Sequence, residues 1–247
     1  MTEYPHDRIV PFKNSPVPKK QQVAEMFDKI AFRYDFLNRF LSAGIDRGWR
    51  KKAIQELKTL HPQTVLDVAT GTADMPIMLM KMLAPEKVIG IDLSEGMLTL
   101  GRQKVKKQQL TEKISLQTGD AENIFFSNGS FYAATVAFGV RNFQNLEKGL
   151  SEIYRILKPG GKLVIIECTQ PTRRFFLPFY KIYLRVVTPG IGRMISGSRD
   201  AYHYLNESVI AFPEGKTFLQ IMEKTGFKET YLKRLSLGIC TIYCGSK

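Results

Sequence analysis

Residues 65–74 read V-L-D-V-A-T-G-T-A-D, from Val65 to Asp74. An apolar run carrying one aspartate, Asp67, breaks into the small residues Ala69, Thr70, Gly71, Thr72 and Ala73, and a helical pattern begins near Met75. The succession predicts a strand, a tight turn and the start of a helix. The first N–H groups of such a helix have no partner within it and point at whatever lies over the turn. In an α/β chain that is where a nucleotide-like ligand is held.

Outward from this stretch the chain alternates. Strands are expected over 64–68, 87–92, 114–118, 131–138 and 162–167, with helices over 75–83, 95–108 and 146–157 between them. Strands alternating with helices predict a doubly wound, mostly parallel sheet. The K-P-G-G at 158–161 reads as a turn into the fifth strand. A long interruption, 168–214, precedes a last helix over 216–225 and two strands, 227–234 and 238–245. The short connection at 235–237 makes that final pair antiparallel. Upstream, helical spacing covers 21–32, an aromatic-rich segment runs from Tyr34 to Trp49, and an amphipathic helix follows over 49–60. Residues 1–20 hold Pro5, Pro11, Pro16 and Pro18 without periodicity, and read as an extended or disordered arm. The rest, 21–247, reads as one domain, with 168–214 as a helical insertion that covers substrate.

The 247 residues suffice for a sizeable core, and 44% hydrophobic with 24% charged residues is ordinary for a globular chain. No apolar run approaches the roughly 18 residues that a membrane span needs. The first twenty residues lack the apolar centre of a signal peptide, which makes the cytoplasm the expected compartment. Cys168, Cys240 and Cys244 contain no C-x-x-C pair; the last two fall on one strand face and read as reduced core residues, with no metal site. The net charge of +13 (36 Lys and Arg against 23 Asp and Glu) favours an anionic partner without choosing among nucleic acid, lipid surface and small ligand.

The turn itself excludes a dinucleotide fingerprint. Where G-x-G-x-x-G would place glycines, this chain has Ala69, Gly71 and Asp74. A turn that ends on an acid repels a pyrophosphate. Asp67 and Asp74 make the site acidic, which suits a cationic, phosphate-free ligand such as S-adenosylmethionine. Asp92 ends the second strand, where an acid takes ribose hydroxyls, and Asp120 with Ala121 follows the third, where an acid takes an adenine amine. Each acid alone could be a helix cap; the set on successive strand ends is the informative feature.

This order of elements resembles the Rossmann-like class I S-adenosylmethionine-dependent methyltransferases. Four stretches narrow the resemblance to the UbiE/MenG family: Y-D-x-x-N-x-x-L-S with Trp49, L-D-V-A-T-G-T-A-D, F-G-V-R-N at 138–142, and R-I-L-K-P-G-G-K-L-V-I-I-E at 155–167. The segment Y-H-Y-L-N-E-S-V at 202–209 is similar as well. The chain departs from the family pattern at Leu37, usually Met, at Asp46, usually His, and at Thr169, usually Ser. The resemblance implies C-methylation of a polyprenylated quinol ring, most simply demethylmenaquinol, with the ubiquinone-pathway benzoquinol as a second acceptor. It implies cofactor binding at Thr72, Asp92, Asp120 and Ala121, and the residue reading adds Asp67 and Gly71. Arg141, in the loop after the fourth strand, is the candidate catalytic residue: a permanent cation steadies the phenolate that the acceptor becomes. Its competing reading is a structural ion pair with a helix-end acid such as Glu147.

Residues 173–187 mix large apolar side chains with cations, which suits either a helix on an anionic membrane surface or the roof of an apolar pocket. Two other functions compete with this one. A nucleic-acid methyltransferase fits the charge, but residues 137–142 (A-F-G-V-R-N) contain neither a proline-bearing amide motif nor a cysteine nucleophile. A non-catalytic scaffold would have no need for the retained acids.

Overall fold

The computed structural model describes residues 4–171 and 199–247. The interpretation of 173–187 therefore lies outside the described residues. Seven strands form one sheet in the order β3-β2-β1-β4-β5-β7-β6. They are β1 (Thr64–Val68), β2 (Lys87–Asp92), β3 (Ile114–Thr118), β4 (Phe131–Ala137), β5 (Leu157–Cys168), β6 (Lys228–Leu235) and β7 (Cys240–Ser246). Strands β1 to β5 pair in parallel, and β7 is antiparallel to both its neighbours. The doubly wound sheet with an antiparallel C-terminal strand is thus as expected.

Alternation sorts the strands' side chains onto two faces. Val65, Val88, Ala133, Val164, Cys240 and Cys244 pack on one face beneath α2 (Asp46–Gln55), α3 (Asp74–Leu83) and α4 (Glu95–Lys107). Leu66, Val136 and Leu163 pack on the other beneath α5 (Leu146–Ile156) and α7 (Lys216–Lys224). The chain winds outward from β1 in one direction and returns to add β4 on the other side. Their carboxyl ends therefore flank the switch point at which open α/β sheets hold ligands.

Three boundaries differ from the expectation. Helix α1 runs Lys19–Leu41, 23 residues, well past residue 32. Ile30, Tyr34, Leu37 and Leu41 keep the three- and four-residue spacing of one buried face, so the aromatic segment continues the helix instead of ending it. The K-P-G-G stretch lies inside β5, as a register shift between Phe131↔Leu157 and Ala133↔Lys162. The chain end pins it: Gly160 N–H donates to the Lys247 carbonyl at 3.0 Å and Lys247 N–H to the Gly161 carbonyl at 2.9 Å. Residues 4–18 are packed rather than free. A 3-10 turn (Pro5–Arg8) buries His6 against Phe212, and Tyr4 donates its hydroxyl to Glu147 at 2.6 Å. Within the insertion, α6 (Arg199–Ala211) is described and returns to the body through Ala201 and Tyr204.

Candidate active site

The carboxyl edge of the sheet is strained where the turns leave it. Ala69, Gly71, Ala73 and Phe138 all have positive φ, which costs non-glycine residues energy and concentrates at functional sites. Gly139 brings the loop after β4 against the turn after β1: a Cβ there would stand 2.5 Å from that of Ala69.

Two compartments lie over this edge. The first is an open cleft lined by Gly71 from the β1 turn, Asp92 and Leu93 from β2, residues 119–122 after β3, and Val23, Ala24 and Phe27 of α1 above. Asp92 is its best-anchored acid. Its carboxylate accepts from Gly71 N–H at 2.8 Å and Ser94 N–H at 2.9 Å, and burial, opposed by these bonds, raises its pKa. Asp120 accepts from Glu122 N–H at 2.9 Å and from Lys20 Nζ at 2.7 Å. Ala121 stands beside it in the wall. The lining offers three carboxylates, Asp92, Asp120 and Glu122, and backbone groups, with Lys20 its one cation. That set fits an adenosine group bearing positive charge and would repel a pyrophosphate.

The second compartment is predominantly apolar. Met26, Ile30, Leu37 and Leu41 of α1, Trp49 of α2, and Tyr204, Leu205 and Val209 of α6 line it, together with Arg141. Phe27, Tyr34, Phe138 and Asn142 line both compartments and so form the wall between them.

Arg141 is 3% exposed, and it pairs with Glu167 at the end of β5, itself fully buried. Glu147, the partner considered from sequence, instead meets Lys224 at 2.6 Å. Arg141 Nη1 also donates to the Phe138 carbonyl at 2.7 Å, whereas Nε has no hydrogen-bond partner among the described residues. Burial opposes the guanidinium charge, but Glu167 outweighs it and the pKa of Arg141 is raised. The side chain is a fixed cation in an apolar wall.

Asp67 and Thr72 line neither compartment. Asp67 is 1% exposed beneath the turn, and it accepts from the hydroxyls of Thr70 (2.7 Å) and Thr135. Burial pushes its pKa up to about 7. The Thr72 hydroxyl donates to Asp35 and accepts from Lys104 at 2.9 Å, and Lys104 also meets Asp74 at 2.7 Å. Burial would raise the pKa of Asp74, but Lys104 outweighs it and the net shift is downward. Asp74 therefore spends its charge on Lys104, outside the cleft lining. Asp46, where the family pattern has His, is buried with Arg50 and Ser42 as partners and stands in the apolar wall.

Sequence reasoning missed Lys20, Lys104 and Tyr204. Lys20 reaches from α1 to Asp120 after β3, and Lys104 from α4 to Asp35 of α1, pairings that no local pattern announces. Tyr204 sits in a quoted signature and donates to Asn142 at 3.0 Å, bridging α6 to the shared wall.

The profile of the ubiE/COQ5 methyltransferase family matches residues 16–247. The chain is 48% identical to a demethylmenaquinone methyltransferase of Bacteroides fragilis, over 99% of each chain. It is 44% identical to a ubiquinone/menaquinone biosynthesis C-methyltransferase UbiE of Geotalea daltonii, over 93% of this chain and 97% of that protein. Among solved structures, a SAM-dependent methyltransferase from Thermotoga maritima aligns with a TM-score of 0.61 at 19% identity, over 90% of this chain and 99% of that one. The cyclase SpnF aligns with a TM-score of 0.61 at 16% identity, over 94% and 98%. Likeness at that level carries the fold and not the reaction.

Proposed function

The chain belongs to the ubiE/COQ5 methyltransferase family, and we propose that it transfers a methyl group to a ring carbon of a polyprenylated quinol, most simply demethylmenaquinol. The observation that carries this reading is the pair of compartments with one shared wall, an acidic cleft beside an apolar cavity that contains a buried cation. An amphipathic cofactor and a lipid-tailed ring need such different surroundings, and transfer needs them adjacent.

S-adenosylmethionine, when bound, supplies an electrophilic methyl on a sulfonium. In the cleft, Asp92 holds the ribose edge, Asp120 and Ala121 the adenine edge, and Gly71 admits the methionine portion. Asp67 and Thr72 act one layer back, fixing the turn through Thr70, Thr135, Asp35 and Lys104. In the apolar cavity Trp49, Tyr204 and the α1 side chains position the ring and exclude water. Loss of the hydroxyl proton next to the acceptor carbon makes that carbon nucleophilic. Arg141 stabilises the resulting phenolate without taking the proton, as a preorganised cation does in a dry site. Helix α6 covers the substrate side through Tyr204, Leu205 and Val209.

No described helix is long and apolar enough to cross a membrane, and a polyprenyl tail partitions into a bilayer. Transient contact with an anionic membrane, at its cytoplasmic face, completes the proposal. The test is a methyl-transfer assay with reduced demethylmenaquinone and, in parallel, the demethylated benzoquinol. Activity on the naphthoquinol is expected, the ratio ranks the acceptors, and inactivity on both overturns the reading.

A further inference from the structure

The outer face of α1 carries three phenylalanines four residues apart, Phe32, Phe36 and Phe40, which are 88%, 59% and 55% exposed. Ile45 follows at 50% just beyond the helix. Phe36 and Phe40 stack with ring centroids 6.0 Å apart. Large aromatics exposed in a row are unusual on a surface that only faces water and mark a contact site. The exposed charges around them are mostly cationic. Arg33, Arg39, Arg47, Lys51 and Lys52 are exposed, whereas Asp35 and Asp46 are turned inward to Lys104 and Arg50, Asp28 accepts from Ser94 and Gly96, and Glu25 pairs with Lys29. An aromatic ridge set among cations is the composition of a helix that lies in the interface of an anionic bilayer.

The inner face of the same stretch points to the same partner. Ile30, Leu37 and Leu41 line the apolar cavity proposed for the quinol ring. A polyprenyl tail that stays in the bilayer has to leave the cavity beside the element that meets the bilayer, and this half of α1 has one face toward each. We propose that the ridge Phe32–Phe36–Phe40, with Arg33 and Arg39, is the surface by which this protein docks on anionic lipid, so that α1 stands between membrane and active site. The inference rests on the quinol reading for its occupant, but its geometry is independent of the reaction. It moves the expected contact from residues 173–187 to a described helix.

Full-length protein is co-sedimented with phosphatidylcholine vesicles, with and without about 30% phosphatidylglycerol, alongside a variant carrying Phe32→Ser, Phe36→Ser and Phe40→Ser and a second carrying Arg33→Gln and Arg39→Gln. None of these residues lines either compartment. The wild type is expected to bind the anionic vesicles, the phenylalanine variant at least about tenfold more weakly, and the arginine variant to lose the lipid-charge preference. Methylation of a short-tailed, water-dispersed quinol is expected to be unchanged in both, which shows them folded and separates docking from chemistry. Undiminished vesicle binding by the phenylalanine variant overturns the proposal while leaving the quinol reading intact. A wild type that dimerises through the ridge, seen as a mass halved in the variant by light scattering, without vesicle binding, overturns it in favour of a second copy of the chain. Ridge-dependent vesicle binding with no methylation of any quinol supports the docking surface and overturns the function proposed above.

Discussion

Replacing Asp67 by asparagine should flatten the pH dependence of stability, by an amount that follows from its burial. In the folded protein Asp67 titrates near pH 7, against 3.8 for the ordinary carboxyl. Burial is the main cause; the Thr135 and Thr70 hydroxyls and Arg50 pull the other way, and Asp92 adds to the rise. A folded-state pKa above the unfolded value means that folding favours the protonated acid. Its contribution is therefore complete below about pH 4 and is lost as pH rises through 7. Between pH 5.5 and 8 the part lost is about 1.5 pKa units, or about 2 kcal/mol. For a chain of this size that corresponds to roughly 4–8 °C in melting temperature.

The assay is thermal unfolding of wild type and Asp67→Asn at several pH values between 5.5 and 8. Only the difference between the two curves is read, so that groups not coupled to Asp67, such as His6 and Glu167, contribute to both and cancel. The variant is expected to gain on the wild type by about 2 kcal/mol across that window. Parallel curves would show that Asp67 is ionised throughout, and that two threonine hydroxyls suffice to solvate a buried carboxylate.

Arg141→Ala should lower turnover by about a hundredfold or more while cofactor affinity by calorimetry stays close to wild type, because Arg141 lines the apolar cavity and not the cleft; a parallel loss of cofactor affinity would refute that separation. Asp92→Ala should do the reverse, weakening S-adenosylmethionine binding by about ten- to a hundredfold through the loss of a carboxylate acceptor and of its hold on Gly71 N–H. Glu167→Gln should cost roughly 3–5 kcal/mol in denaturant unfolding, since it leaves Arg141 charged in a buried wall without its counter-charge. Gly139→Ala forces the contact with Ala69 apart and should cost about 1–3 kcal/mol while weakening cofactor binding; an unchanged affinity would mean that the two loops are not coupled.

How far the site could be read from sequence depended on the range of the interactions that build it. Gly71, Asp92, Asp120 and Ala121 were legible because strand ends are set by local apolar pattern and the doubly wound order brings those ends together. Thr72 sits at the helix start as expected, but its partners Asp35 and Lys104 lie 37 and 32 residues away, and no periodicity encodes that pairing. Asp67 shares its strand with the cleft yet stops one residue short of the strand end, in register with Thr135, so its carboxylate meets a neighbouring strand and not the ligand. Arg141 was legible as a loop cation beside the crevice. Its counter-charge was not, because Glu167 closes β5, twenty-six residues on.

The length of α1 was the largest omission, and it changes the logic of the site. One helix roofs the cleft through Val23 and Phe27, walls the apolar cavity through Leu37 and Leu41, and carries the aromatic ridge outside. Polar ties from α1 to the body gather around the cleft: Lys20 to Asp120, Asp28 to Ser94 and Gly96, Asp35 to Thr72 and Lys104. Lys20 and Asp120 are 31% and 25% exposed, and pairs with that much solvent contribute about 1 kcal/mol or less. A ligand that offers Asp120 a new donor therefore breaks the tie at small cost. The apolar face of α1, which such a ligand does not replace, keeps the helix on the body. The acidic cleft and the apolar cavity thus share one wall element, so a displacement of α1 alters both compartments at once.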